Sequence, residues 1–432
     1  MAPDIRQQCY TADWRRTCPD LAVHLPQRPC DNDSYNDHFL VTRTPGEALL
    51  AVWTQGSFEG ARDLRVVFSR SEDGGESWSE PQHLPGADDP PGLLSCFGFP
   101  VVSRSGRIYC FYNKNLGIAD GGAYYSGPLR CAYSDDDGIK WCQGGLEIPY
   151  RRTRFDHPDP AVSPRCIVWQ KPIRDGRGRQ IVGFTRWSSF QVFPRPKDGY
   201  HFDSSCELMR FDNIDEGPDP HDIEITWLPE QEGAIRVPCP LEPERSRGYS
   251  LCEEPSLALL PDGTLFSVMR TLTGRVWLTI SQDHGLTWRT PQLLRYRDGG
   301  EEVLHPKSPC PLYALADGRF LLLFHNHDGF AYGARGPWDT ANARRPLFVT
   351  VGAFQAGADQ PIWFGPPRLL FDSQGVAVGS EWRIWLSMYA SLTEVGGRRI
   401  LWYPDRKHFL LGRVIDDAWL AGTPDAGRGE RE

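Results

Sequence analysis

Lys171, Arg186, Arg270 and Lys307 are four cations set beside apolar or aromatic runs in a chain whose formal net charge is −9. Glu254 stands near one of them in "CEEPSLALL". Cations gathered against one acid hold a carboxylate through charge-assisted hydrogen bonds, and arginine adds a planar two-pronged fork. Trp53, Trp187, Tyr389 and Tyr403 offer flat faces on which sugar rings stack. Together these side chains suit an acidic sugar. They are scattered over most of the chain, so the elements that gather them carry the argument.

Six segments share one pattern, a turn with glycine followed by an apolar strand: "PGEALLAVWTQ", "SGRIYCFYNKN", "GRGRQIVGFTRW", "DGTLFSVMRT", "DGRFLLLFHNH" and "GGRRILWYPD". Their glycines are Gly46, Gly106, Gly178, Gly263, Gly318 and Gly397. Each reads as a β-hairpin. In an antiparallel pair the start of the first strand lies beside the end of the second. This register places His38 near Trp53 and Gln55, and Phe97 and Phe99 near Asn113 and Asn115. It places Lys171 near Arg186 and Trp187, Glu254 near Arg270, Lys307 near His325 and Asn326, and Tyr389 near Tyr403.

A second pattern, S-x-D-x-G-x-x-W, occurs three times: Ser71, Asp73, Gly75, Trp78; Ser134, Asp136, Gly138, Trp141; and Ser281, Asp283, Gly285, Trp288. Each copy follows a β-rich run. Asp binds backbone N–H groups within a turn, Gly supplies positive φ and Trp packs back over the hairpin, so these residues read as structural. Repeats at this period point to a β-propeller. The expected fold is all-β, one domain over 1–432: six blades of four-stranded antiparallel sheet. A seventh blade has room within 179–262 or 329–380. The ring closes by pairing the two ends of the chain in one blade. Residues 420–432 read as a disordered tail. If the hairpins are the inner strands, the paired residues crowd one mouth of the central channel and make it cationic.

Composition narrows the function. The acidic balance disfavours nucleic acid as a partner. No run of 18 apolar residues occurs, so no membrane span is expected. The first residues lack an apolar leader core, so the expectation is a cytoplasmic protein, or a secreted one if the true start lies elsewhere. Twelve cysteines occur without a C-x-x-C pair, which argues against a zinc ribbon and for reduced thiols. Cys9, Cys18 and Cys30 are the candidates for disulfides if the protein is secreted. His325 and His327 in "HNHD" alternate on a strand, but no third ligand has a matching spacing, so no metal or other cofactor is expected. Asp156-His157-Pro158-Asp159 reads as a loop, with Arg151, Arg152 and Arg154 on a solvated face.

These motifs resemble the sialidase superfamily. The S-x-D-x-G-x-x-W turn resembles its Asp box. "EEPSLALLPDGTLFSVMRTLTGRVWLTISQDHGLTW" resembles the stretch carrying a Glu and a carboxylate-binding Arg, which implies those roles for Glu254 and Arg270. "WLSMYASLTEVGGRRILWY" is similar to the stretch with the nucleophilic tyrosine, implying Tyr389. "NARRPLFVTVG" resembles the site of a further binding arginine, Arg344 or Arg345. In that family the tyrosine attacks the anomeric carbon and the glutamate draws off its proton. The Arg-Ile-Pro motif of the first blade is missing. His38 stands about where its arginine would be, Arg43 lies too deep in the strand, and Glu59 and Asp63 are candidates for the expected acid.

"NDHFLV…LLAVWTQGSFEG" and "IVWQKPIRDGRGRQIVGFTRWSS" resemble sialidase-like propellers that act on rhamnose linked to glucuronate. That resemblance implies His38 as acid/base and Lys171 and Arg186 as holders of the uronate. The expected function is an exo-acting glycoside hydrolase on a terminal sugar of an acidic, uronate- or sialate-containing glycan. Its catalytic residues would be His38, Glu254 and Tyr389. Its substrate contacts would be Lys171, Arg186, Arg270, Lys307, Arg345, Trp53, Trp187 and Tyr403. The alternatives are a strict exo-α-sialidase, a rhamnose–glucuronate lyase and a non-catalytic glycan-binding propeller.

Overall fold

The computed structural model describes residues 13–26, 32–117, 120, 127–194, 203–230, 233–240, 248–379 and 381–421. Six antiparallel sheets follow one another around a central channel, as the repeats predict. Blade 1 is β2 (Tyr35–Arg43), β3 (Leu49–Gly56), β4 (Arg65–Ser71) and β5 (Gln82–His83). Blade 2 is β6 (Ser95–Val102), β7 (Ile108–Lys114), β8 (Leu129–Ser134) and β9 (Cys142–Ile148). Blade 3 is β10 (Arg165–Val168), β11 (Ile173–Arg174), β12 (Gln180–Trp187), β13 (Ser204–Phe211) and β14 (Ile225–Leu228). Blade 4 is β15 (Glu253–Leu259), β16 (Leu265–Arg270), β17 (Trp277–Ser281) and β18 (Gln292–Leu293).

Blade 5 is β19 (Leu312–Ala314), β20 (Arg319–Phe324), β21 (Leu347–Phe354), β22 (Ile362–Phe364) and β23 (Arg368–Phe371). Blade 6 is β24 (Ser391–Val395), β25 (Arg398–Asp405) and β26 (Phe409–Val414), completed on its outer edge by β1 (Leu21–His24). Leu21 pairs with Gly412, so the two ends of the chain share a sheet as expected. The intervals with room for a seventh blade hold the outer strands of blades 3 and 5. A short helix, α1 (Asp417–Ala421), follows blade 6, so residues 420 and 421 are ordered in a helix; 422–432 lie outside the described residues. None of the described helices is long and apolar enough to cross a membrane. Cys18 is a free thiol, and Cys9 and Cys30 lie outside the described residues.

The three S-x-D-x-G-x-x-W turns are alike. In the first, Gly75 N–H donates to Ser71 Oγ at 2.9 Å, Ser77 N–H to Asp73 Oδ1 at 2.9 Å, and Trp78 Nε1–H to the Gly75 carbonyl at 3.1 Å. The same bonds recur about Ser134 and Ser281. Each turn links the third and fourth strands of its blade. Each also presses on the preceding blade. A Cβ on Gly75 would meet Trp402 of blade 6 at 2.5 Å, and its φ of +96° also favours glycine. Gly138 lies against Leu50 of blade 1, and Gly285 against Ile181 and Leu228 of blade 3. The repeated turn thus joins neighbouring blades, which bury continuous apolar clusters between them.

The glycine hairpins and these turns share one end of the propeller. Gly46 N–H donates to Asp137 Oδ1 at 2.7 Å, tying the hairpin of blade 1 to the turn of blade 2. The starts of the inner strands therefore gather at the opposite end.

Candidate active site

Three inner strands carry the same irregularity there. The pairing slips between Asp37 and Leu40 in β2, between Cys96 and Phe99 in β6, and between Glu253 and Ser256 in β15. At each slip one non-glycine residue adopts positive φ: His38 at 53°, Phe97 at 58° and Glu254 at 51°. Such a backbone costs on the order of 1–3 kcal/mol and persists only where its surroundings hold it. Two threonines do so. Thr54 Oγ1 accepts the Phe97 N–H at 3.1 Å, and Thr185 Oγ1 accepts the Glu254 N–H at 2.7 Å. Each threonine lies on the second strand of the preceding blade and replaces the ladder partner that the bulge removes.

The bulges bring His38, Glu254 and Tyr389 together. Tyr389 Oη donates to Glu254 Oε1 at 2.8 Å. Arg270 Nη1 lies 3.1 Å from the same phenol oxygen and 2.7 Å from Glu254 Oε1. The His38 ring centroid is 4.4 Å from that of Tyr389 and 4.3 Å from that of Phe97. His38 Nδ1 and Glu254 Oε2 are buried without a hydrogen-bond partner. Buried polar atoms left unpaired are costly and draw a ligand.

Glu253 and Glu254 are adjacent and buried, yet their carboxyls are driven apart. Burial lifts Glu254 above the usual carboxylate range, with Glu253 adding to the rise and Arg270 opposing it. Burial acts on Glu253 too, but Arg270 and Lys307 outweigh it and hold that carboxyl down at about 2. Arg270 Nε donates to Glu253 Oε2 at 2.9 Å, Lys307 Nζ sits 3.4 Å from it, and Trp187 Nε1 donates to Oε1 at 2.9 Å. Glu253 therefore anchors Arg270, and Glu254 is the carboxyl suited to move a proton. Burial also raises the Tyr389 phenol well above its ordinary value, with Glu254 adding to the rise. The His38 imidazole is pushed down to about 4 by burial, although Asp37 opposes the shift. At neutral pH it is an uncharged donor–acceptor.

Several sequence-predicted residues lie elsewhere. Trp53 is fully buried between blades 1 and 6, its Nε1–H on Asn36 Oδ1 at 3.0 Å. Tyr403 is buried, with its hydroxyl 2.9 Å from Thr17 Oγ1 and its ring stacked on Phe371. Arg186 is sealed between Asp156 at 2.7 Å and Glu207 at 2.5 Å. The register argument placed these residues near the mouth, but their side chains project into the packing between or within blades, unlike those of Arg270 and Trp187 at the ends of their second strands. Lys171 is not beside Arg186, because Cys166 pairs with it. The inner strand of blade 3 is interrupted between Val168 and Ile173, and its extra residues carry Lys171 toward the other end of the channel. Arg345 turns away to Asp372 at 3.2 Å and the Tyr332 ring. Its neighbour Arg344 faces the site, donating to Ser387 Oγ at 2.6 Å and to the Lys307 carbonyl at 3.0 Å.

The mouth is not a cationic funnel. Arg270 and Lys307 are matched by Glu253 and Glu254, and Lys407 lies 2.9 Å from both Asp37 Oδ2 and Glu59 Oε1. Arg383 reaches Glu59 at 3.6 Å and also pairs with Glu381. Among these cations Arg344 alone has no carboxylate partner among the described residues. Asp63 bonds Ser57 within its own loop. Lys407, Arg383 and Asp37 escaped the hairpin argument. Lys407 sits on the β25–β26 turn and Glu59 on the β3–β4 loop; second-to-third strand connections reach the same mouth. His325 and His327 spend their ring nitrogens on Pro346 O, Ser308 Oγ, Arg345 O and Gly329 N–H. No group of three His, Cys, Asp or Glu suited to a metal occurs among the described residues.

No curated protein matches the sequence. The fold is similar to that of several solved structures. A protein of unknown function from Dyadobacter fermentans aligns with a TM-score of 0.60 at 12% identity, over 91% of this chain and 96% of that one. A Hadza microbial sialidase aligns at 0.57 and 16% identity, over 90% of this chain and 67% of that one. The intramolecular trans-sialidase from Ruminococcus gnavus aligns at 0.55 and 13% identity, over 90% and 96%. At such identities the likeness is one of fold. In sequence, the BNR repeat-like domain matches residues 47–381. With its six blades and three repeated Asp-box turns, the chain belongs to the BNR repeat-like domain family.

Proposed function

We propose that the protein is an exo-acting glycoside hydrolase that releases a terminal sugar from an acidic glycan, with Tyr389 as nucleophile and Glu254 as its base. One observation carries this reading: the Tyr389 hydroxyl donates to Glu254 Oε1 at 2.8 Å, with Arg270 Nη1 on the same phenol oxygen. As the tyrosine oxygen bonds to the anomeric carbon, its proton passes to Glu254 and Arg270 steadies the phenol oxygen. The glycosidic C–O bond breaks, and the aglycone oxygen takes a proton from water. A second water then displaces Tyr389 from the sugar, and the proton on Glu254 returns to the phenol. His38 offers a neutral donor–acceptor to a sugar hydroxyl.

The ligand classes divide within the site. His38, Phe97 and Tyr389 form an aromatic wall suited to the apolar face of an uncharged terminal sugar. Arg344 is the cation free to meet the carboxylate of an acidic neighbour. The proposed substrate is a terminal rhamnose on glucuronate, with a terminal sialic acid, whose carboxylate Arg344 would also meet, as the alternative.

The test incubates the protein separately with a sialoside and with a rhamnose–glucuronate oligosaccharide, recording released sugar and ultraviolet absorbance. Free rhamnose without a chromophore is the expected result. Free sialic acid would reassign the terminal sugar, and an unsaturated uronate chromophore would make the enzyme a lyase. No release from either would point to a glycan-binding propeller.

A further inference from the structure

The central channel opens again at the end opposite His38 and Tyr389. There the later residues of the inner strands enclose a cavity of about 490 Å³. Leu257 and Leu259 of blade 4, Leu312 of blade 5 and Leu392 of blade 6 form apolar walls. Polar side chains interrupt them: Gln170, Lys171 and Tyr313, with Ser391 and Thr393 beside them and Arg174 and Glu394 at the rim. Gln170 is only 9% exposed, and its amide nitrogen has no partner. The Tyr313 hydroxyl is likewise buried and unbonded. Lys171 Nζ donates to two backbone carbonyls, Val41 O at 2.5 Å and Leu392 O at 3.5 Å. No carboxylate among the described residues pairs with it. The charged groups at the rim are already matched, Arg174 by Asp215 and Glu394 by Arg399.

The unpartnered Gln170 amide nitrogen and Tyr313 hydroxyl can both donate a hydrogen bond, and Lys171 beside them is a cation with no carboxylate partner among the described residues. The walls are hydrocarbon. A largely apolar cavity of this size with a few polar groups is the usual form of a small-molecule site. We propose that this second mouth binds a small monocarboxylate with an apolar body. The carboxylate accepts from Lys171, Tyr313 and Gln170, and the hydrocarbon lies against the leucines. A sugar fits less well, because most of its hydroxyls would face the leucine walls.

The experiment titrates the full chain with octanoate and with methyl octanoate by calorimetry. It uses the native protein and the variants Lys171→Met, Leu259→Trp, Tyr313→Phe and Arg344→Gln. Octanoate should bind saturably, and the ester about tenfold more weakly or worse. Lys171→Met and the cavity-filling Leu259→Trp should abolish binding, and Tyr313→Phe should weaken it. Arg344→Gln, at the other mouth, should leave octanoate binding intact. The proposal fails if the acid and ester bind alike, if neither binds, or if Lys171→Met binds as the native chain does. Loss of binding in Arg344→Gln alone would place the carboxylate in the catalytic mouth and overturn it equally. The acid–ester comparison needs no variant, so the carboxylate requirement is tested even if a substituted chain does not fold. Glycan release is read separately, so the two proposals stand or fall apart.

Discussion

Tyr389 and Glu254 share a 2.8 Å hydrogen bond although they stand on different blades. The bond exists because a bulge turns Glu254 inward and the segment before β24 brings the phenol across to it. Tyr389→Phe should abolish sugar release while leaving the fold intact, as checked by circular dichroism. Glu254→Gln should lower kcat by roughly 10²–10⁴-fold, the usual contribution of a positioned acid–base group.

The split between the two glutamates predicts a pH response. Activity needs ionised Glu254, and burial raises that carboxyl, so the acid limb of kcat/KM should lie above an ordinary glutamate's value. Glu253→Gln removes a neighbouring negative charge and frees Arg270 to face Glu254. Both changes favour ionisation, so the acid limb should move to lower pH. A limb that stays in place or moves upward would contradict the assignment.

His38 predicts an acid lability. Its imidazole falls from 6.5 to about 4 on burial. Between those values the unfolded chain binds the proton and the folded chain does not. The stabilisation is therefore complete above pH 6.5 and is lost as pH falls through about 4. The group accounts for up to about 3 kcal/mol of that loss. Denaturant melts of native and His38→Asn protein at pH 7 and pH 4 should differ most at the lower pH, with the variant losing less.

Thr185→Val strips the Glu254 N–H of its acceptor at a strained residue. It should cost about 1–3 kcal/mol and lower kcat, since the carboxyl loses its fixed direction. Ser281→Ala breaks the equivalent structural bond of a repeated turn. It should cost about 0.5–2 kcal/mol and leave kcat of the folded protein unchanged. Urea melts and turnover measured on the same samples separate the two.

Arg344→Gln should raise KM for a uronate-bearing substrate by roughly 10–100-fold, the value of a charge-assisted hydrogen bond. Reducing the substrate carboxylate to an alcohol should remove the difference between native and variant.

The blades were readable because their turns require particular residues: the serine, aspartate, glycine and tryptophan of each repeat make the same bonds wherever they occur. The nearness of Glu254 to Arg270 at the end of β16 was readable because the strand lengths on either side of Gly263 are nearly equal. Lys171 went astray because an interruption in the inner strand of blade 3 leaves no compositional mark. Trp53 and Tyr403 went astray because register gives a residue's height along the channel but not the side of the sheet its side chain takes. Arg344 and Arg345 lie in the loop before β21, where no strand pattern tells which side chain faces the site. Lys407 lies on a connection whose end of the propeller is known only once the strands are paired.

The pairing of β1 with β26 ties the timing of assembly to chain synthesis. Leu21 must wait for Gly412, which is made nearly four hundred residues later, so the ring stays open until blade 6 has been made. Blades can form one after another as they emerge, but each leaves an unpaired face until the next arrives. Blade 6 takes its outer edge from β1, made before any strand of blade 1. Contacts this distant in sequence are slow to form and expose sticky edges meanwhile. Losing β26 would therefore cost more than one strand: it would leave β1 and the outer edge of β25 without a partner and the ring unclosed.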